Sequence, residues 1–344
     1  MGSNSMNGNL LRELRTRLRL SQGDLKDKLN RLLDRSYDKP RISRWENNKE
    51  PIPDDVAHVL TSLVSNQTQV ARVVVMANQK GGVGKTTSSL NLAYALKTLG
   101  CRVLLVDMDP QATATIGLLA GQHVEAYHQG KTSAQLILND KPIGDVILHP
   151  DDVPEELQLP YDLIASHIEL SETDSRREPG FDVALREAID SVKTAYDWVV
   201  VDAPPNLGML TWMSLAAGDE VIVPVRTEPY DTMGVGLIMG TISKIQRRLN
   251  PGLRLSGILP TQYNARKSVD REVLQHLQTM LRDKTSVLIP VPSSAVYGHA
   301  ARAGRVALES SPTSHATLPY LSIAKSLNDR SPLPLAPVVE RETV

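Results

Sequence analysis

The sequence predicts an α/β chain in which a small all-α domain precedes a doubly wound, mostly parallel sheet. Three observations carry that expectation. Short apolar, β-branched runs recur at 73–76, 102–106, 161–166, 196–201, 220–224, 255–260 and 287–292, as strands buried on both faces should. Segments of helical period lie between several of them, at 88–99, 183–192 and 234–249. The first sixty-odd residues carry no such run and instead repeat leucine at helical spacing.

In the N-terminal region Leu10, Leu11, Leu14 and Leu18 mark one helix, with Arg12, Arg15, Arg17 and Arg19 on its polar positions. Ser21 suits an N-cap for a second helix holding Leu25, Leu29 and Leu32. A polar break at 36–40 leads into a third segment, Arg41-Ile42-Ser43-Arg44-Trp45-Glu46, which Pro51 and Pro53 stop. A fourth helix is expected at 54–64, and 65–69 reads as a polar linker. The expected domains are therefore a helical unit at 7–66, an α/β unit at 70–328 and a flexible, proline-bearing tail at 329–344. Residues 1–5 are set aside from this reading.

Composition narrows the function. The 344 residues hold 38 Lys and Arg against 39 Asp and Glu, so net charge does not single out a polyanionic partner. Locally, residues 7–50 are basic, with twelve Lys and Arg against seven Asp and Glu. One cysteine, Cys101, rules out a disulfide framework and CxxC metal chemistry, and it fits a reducing cytoplasm. Eight histidines show no HxH or HExxH spacing. No apolar run approaches the roughly 18 residues of a membrane span.

The chemistry concentrates at Lys80-Gly81-Gly82-Val83-Gly84-Lys85-Thr86-Thr87, between the first apolar run and the first long helix. Three glycines leave room for successive backbone N–H groups to converge on phosphate oxygens, and the helix that follows directs its positive end at the same anion. Lys85 is spaced to reach β- and γ-phosphates, and Thr86 to ligate Mg²⁺. Lys80 stands in front of the loop, where a plain phosphate loop needs no lysine.

With that second lysine the stretch resembles the deviant Walker A motif of the ParA/MinD family of P-loop ATPases, K-G-G-x-G-K-[ST]. Three further motifs follow in family order: V-D-x-D-P-Q-A at 106–112 resembles Walker A′, the run at 196–205 supplies the Walker B strand, and Asp202-Ala203-Pro204-Pro205 within it resembles switch II. The resemblance covers the α/β region and implies ATP and Mg²⁺ as cofactors. It implies a nucleotide-sandwich homodimer in which Lys80 of one subunit reaches phosphates bound by the other. Carried over, Asp109 positions the attacking water, Asp107 lies near Mg²⁺ and phosphate, and Asp202 holds the metal. The ends of the last two strands flank adenine, which nominates Gln262, Tyr263, Pro290 and Pro292. The tail cannot form the basic amphipathic helix of MinD relatives, which counts against a membrane partner.

The runs L-R-x-L-R-x-x-L-x-L-S-Q-x-x-L and R-I-S-R-W-E-N resemble the Cro/Xre helix-turn-helix family. The resemblance turns Ile42 and Trp45 inward and places Lys39, Arg41, Ser43 and Arg44 toward a DNA groove or backbone, with Gln22 at a phosphate-contacting position. The connection between Leu29 and Ser43 is about six residues longer than the tight turn usual there. Either the second helix runs on through Leu33 or the turn is a loop. A helical bundle used only for dimerisation is the other reading of this unit.

ParA proteins also bind DNA without sequence preference once dimeric. The candidates here are Lys244, Arg247, Arg248, Arg266, Lys267 and Arg271, which equally suit an ordinary solvated face. The functional expectation is a nucleoid-associated DNA-partition ATPase stimulated by a ParB-like partner, with operator binding through the helical unit. The alternatives are an ATP-sensing transcription regulator and a positioning ATPase for a protein cargo.

Overall fold

The computed structural model describes residues 6–18, 20–67, 70–176 and 178–338. Arg19, residues 68 and 69 of the expected linker, and 339–344 of the expected tail lie outside the described residues, as do 1–5. The chain divides into two compact units, Met1–Val70 and Ala71–Val344.

Among its described residues the first unit holds four helices: α1 (Gly8–Arg17), α2 (Gln22–Leu33), α3 (Lys39–Glu46) and α4 (Asp54–Gln67). Each of the first three starts where a polar side chain satisfies an end N–H. Asn7 accepts from the Leu10 amide, Asp38 accepts from the Arg41 amide, and Ser21 and Asp24 cap each other's backbone. Leu11, Leu25, Leu29, Ile42, Trp45, Val56 and Leu60 close the core. The long connection is partly helix and partly loop. α2 runs through Leu33 and ends on Asp34 in the left-handed conformation. The Asn30 side chain then brackets Tyr37, donating to its carbonyl at 2.9 Å and accepting from its amide at 2.7 Å. The extra residues thus form a short stapled loop.

The second unit contains a six-stranded sheet in the order β3-β2-β4-β1-β5-β6, every pairing parallel. Its strands are β1 (Arg72–Met76), β2 (Val103–Asp107), β3 (Asp162–Ile164), β4 (Trp198–Asp202), β5 (Glu220–Arg226) and β6 (Arg254–Thr261). Alternate residues feed two cores. Val73 and Val75 pack on one face of the sheet, Val74 and Met76 on the other. The phosphate-loop helix α5 (Lys85–Thr98) follows β1, and the Met233–Arg248 helix links β5 to β6.

Two expectations are corrected at the β6 edge. The run at 287–292 does not form a regular strand: it makes single bridges, Val287 with Ile258 of β6 and Pro292 with Tyr263 just past its end. Pro290 and Pro292 lack the N–H groups a ladder requires. The segment expected as a free tail is hydrogen-bonded in its described part. Leu335 lies antiparallel to Leu288, with Ile289 N–H donating to the Pro334 carbonyl at 2.8 Å and Ala336 N–H to the Val287 carbonyl at 2.9 Å. Its prolines hold it extended, which suits an outermost strand.

Candidate nucleotide site

The phosphate loop leaves β1 at the C-terminal edge of the sheet, where parallel α/β folds bind ligands. Gly82 and Gly84 sit at φ +70° and +84°, a region that side-chain-bearing residues rarely enter. Gly84 caps α5 without any side-chain hydrogen bond, so the first-turn amides are left to an external acceptor. The loop is gripped from β6. Thr261 Oγ1 donates to the Val83 carbonyl and Gln262 Nε2 to the Gly82 carbonyl, both at 2.8 Å. Gln262 adopts φ +55° to do so.

Lys85 is buried, and its ammonium donates to the Lys80 carbonyl at 3.0 Å. Burial holds its pKa below the ordinary lysine value, against the opposing pull of Asp202 and Asp109. Asp107 and Asp202 end neighbouring strands at paired positions, and both are fully shielded from solvent. Burial raises both carboxyls above the usual carboxylate range, and the Asp202 charge adds to the rise at Asp107. Around Asp202 the Thr86 and Ser89 hydroxyls and the Lys85 charge pull the other way.

The two acids differ in what their oxygens do. Asp107 Oδ1 accepts the Asp109 amide at 3.1 Å, while Oδ2 accepts the Thr115 amide and hydroxyl at 3.0 and 2.7 Å. Asp202 Oδ1 accepts from Ser89 Oγ at 2.8 Å, and its Oδ2 has no hydrogen-bond partner. An orphaned carboxylate oxygen beside a threonine hydroxyl is the donor set a hydrated Mg²⁺ takes. Of the expected metal residues, Asp202 and Thr86 fit a cation, whereas Asp107 is engaged with its own loop. Asp109 is also buried, and its Oδ1 accepts the Gln111 amide at 3.0 Å.

Lys80 takes a place that sequence reasoning missed. Its ammonium is bonded to Asp231 of the same chain, just beyond β5. Asp231 is buried and also accepts from Arg226 Nε at 2.8 Å. Burial raises its carboxyl, but Arg226 and Lys80 outweigh burial and leave it below the usual range. Lys80 itself keeps 39% side-chain exposure. In sequence Asp231 reads as a turn residue after Pro229, and nothing local signals a buried anion.

The other candidates divide. The Gln262 amide is committed to the phosphate loop, Pro290 is buried, and Tyr263 and Pro292 sit side by side with partial exposure. The six basic candidates do not form one cluster. Lys244, Arg247 and Arg248 close a 16-residue helix that leads into β6, whereas Arg266, Lys267 and Arg271 follow the far end of β6. The parallel crossover puts the two groups at opposite ends of a strand about 26 Å long.

In the helical unit Lys39 is exposed at the start of α3. Arg41 and Arg44 both pair with Glu50, at 2.7 and 3.1 Å, and Asn47 Nδ2 donates to the Ser43 carbonyl. Gln22 Nε2 donates to buried Glu46 at 2.8 Å, beside Arg15, whose Nε donates to Glu46 Oε1 at 2.5 Å.

A family profile described as "AAA domain" matches residues 71–255. The sporulation initiation inhibitor protein Soj of Bacillus subtilis is 34% identical over 263 residues, covering 75% of this chain and 98% of that protein. The chromosome-partitioning ATPase Soj of Thermus thermophilus is 37% identical, covering 75% of this chain and 96% of its own. Among solved structures, a Mycobacterium smegmatis protein titled cobyrinic acid a,c-diamide synthase, with bound ATP analogue and magnesium, matches at TM-score 0.64 and 31% identity. That match covers 77% of this chain and 99% of the other. With the phosphate loop, the buried acids and the parallel sheet all in one place, the chain belongs to the Soj/ParA family of P-loop ATPases.

Proposed function

We propose that this chain is a DNA-partition ATPase whose assembly reports bound ATP. Magnesium held by Thr86 and Asp202 would neutralise charge on the β- and γ-phosphates. Lys85 contributes the buried cation to the same phosphates, and Asp109 orients the attacking water. The observation that carries the reading is Lys80: a partly exposed cation held by an ion pair outside its own phosphate loop, free to be re-partnered when a second subunit arrives. The ATP-bound homodimer binds DNA without sequence preference through Lys244, Arg247 and Arg248 or through Arg266, Lys267 and Arg271, and a ParB-like partner triggers hydrolysis and release. On this reading the protein acts in the cytoplasm, on the nucleoid.

The helical unit is read as a helix-turn-helix, with α2 and α3 as the paired helices and Lys39, Arg41, Ser43, Arg44 and Gln22 facing DNA. It would add operator binding and autorepression. Gel filtration with ATP and with ADP, on wild type and Lys80→Ala, is the test. An ATP-dependent dimer is expected for wild type only; a dimer of Lys80→Ala contradicts the assignment. If Asp109→Ala leaves hydrolysis and plasmid segregation intact, the partition mechanism fails and an ATP-sensing regulator becomes the better account. DNA binding is checked by salt titration on random and upstream duplexes.

A further inference from the structure

Asp109 stands on the loop between β2 and α6 (Thr113–Leu119), and that loop is closed by hydroxyl groups that no motif includes. Thr115 is fully buried. Its amide and hydroxyl both donate to Asp107 Oδ2, and its Oγ1 in turn accepts the Ser166 amide at 2.8 Å. Ser166 Oγ donates to the Asp109 carbonyl at 2.7 Å. Asp107 Oδ1 accepts the Asp109 amide, and Ser133 Oγ donates to the Asp107 carbonyl at 2.9 Å. Both backbone groups of Asp109 are therefore fixed, one through Asp107 and one through Ser166, and Thr115 joins the two supports.

We propose that Thr115 is a positioning residue for ATP hydrolysis, holding Asp107 and Ser166, just beyond β3, in one hydrogen-bonded ring that sets where the Asp109 carboxylate stands. Asp107 serves this ring, and the metal falls to Asp202. The inference rests on the reading of Asp109 given above. A hydroxyl donor is needed rather than bulk, because Asp107 Oδ2 is sealed from water and would lose a buried partner. The hydrogen bonds of the Thr115 hydroxyl and amide run to Asp107 and Ser166 and none to residues 80–87, so nucleotide affinity should be independent of it.

The test uses the full chain with Mg·ATP and sonicated duplex DNA, measuring single-turnover hydrolysis alongside nucleotide affinity. Thr115→Val keeps the shape and removes the donor; its hydrolysis rate should fall on the order of 10- to 100-fold with nucleotide affinity unchanged. Thr115→Ser should restore the rate. A wild-type rate in Thr115→Val overturns the proposal, as does a parallel loss of nucleotide affinity in both variants. Should Thr115→Val not fold, Ser166→Ala decides, with a reduced rate expected and a full rate fatal. Asp109→Ala separates the two layers. A full rate there defeats the reading of Asp109 itself, whereas an inactive Asp109→Ala beside a fully active Thr115→Val defeats only the ring.

Discussion

Glu46 in the helical unit and Asp202 at the end of β4 are both buried acids, and their surroundings differ in one respect. Glu46 has Arg15 and Gln22 hydrogen-bonded to it and Arg12 close by, and these partners outweigh burial and hold its carboxyl below the usual range. Asp202 has one oxygen on Ser89 and one on nothing, and burial holds its carboxyl above that range. A buried charge whose oxygens are all paired fixes structure, whereas a buried carboxylate with an unpaired oxygen has acceptor capacity to offer a ligand. The same distinction separates Asp107, whose oxygens are all engaged, from its register neighbour Asp202.

The largest effect should come from the open site. Lys85→Ala removes the buried cation proposed to face the phosphates, and nucleotide affinity should drop on the order of 10³-fold, about 4 kcal/mol, by fluorescence titration. Retained binding would mean that the backbone amides suffice. At the saturated site Glu46→Ala strands Arg15, and the helical unit should lose about 3 kcal/mol, read by hydrogen exchange across residues 7–66. Little change there would show the ion network to be dispensable.

The third test exploits opposite pH responses. Asp107 and Asp202 have raised carboxyls when folded, so the folded nucleotide-free protein binds more protons than the unfolded chain from about pH 4 up to about pH 7. Their contribution to stability falls as pH rises through that window. Glu46 has the reverse sign: its stabilisation is present above the ordinary glutamate value and is lost as pH falls through its lowered one. Thermal melts of the nucleotide-free α/β unit's signal should therefore weaken between pH 5 and pH 7.5, and Asp202→Asn should flatten that slope. An unchanged slope in the variant would place the coupling elsewhere.

The smallest effect concerns Asp231, a saturated acid whose partner is only half-buried. Asp231→Asn frees Lys80, and the proposed ATP-dependent self-association should tighten about threefold by sedimentation, modest because the partly exposed Lys80 end of the pair is screened. Weaker association would instead make Asp231 a support of the dimer-competent loop.

These contrasts also mark what was legible in the sequence. Strand–loop–helix order, the phosphate loop and the strand-end acids depend on local composition and spacing, so Lys85, Thr86 and Asp202 could be named from residues alone. Partners separated by long stretches of chain could not. Asp231 meets Lys80 across 151 residues, and Ser166 reaches Asp109 across 57, because parallel strands bring distant segments to one edge. The basic residues around β6 divide into two groups for the complementary reason: nearness in sequence across a parallel strand is distance in space. Glu46 lay within a recognised motif, yet its burial was set by α1, through Arg15 and Arg12.

The strip around Leu335 has a practical corollary for anyone handling this protein. It is the outermost layer over an edge whose own residues, Val287 and Leu288, are buried beneath it. Trimming the chain ahead of residue 334 to remove an apparent tail would strip that cover and bare a template for intermolecular strand pairing. Fusions intended to follow the protein in cells should therefore be joined beyond residue 338, since a shortened version would report clumping in place of segregation.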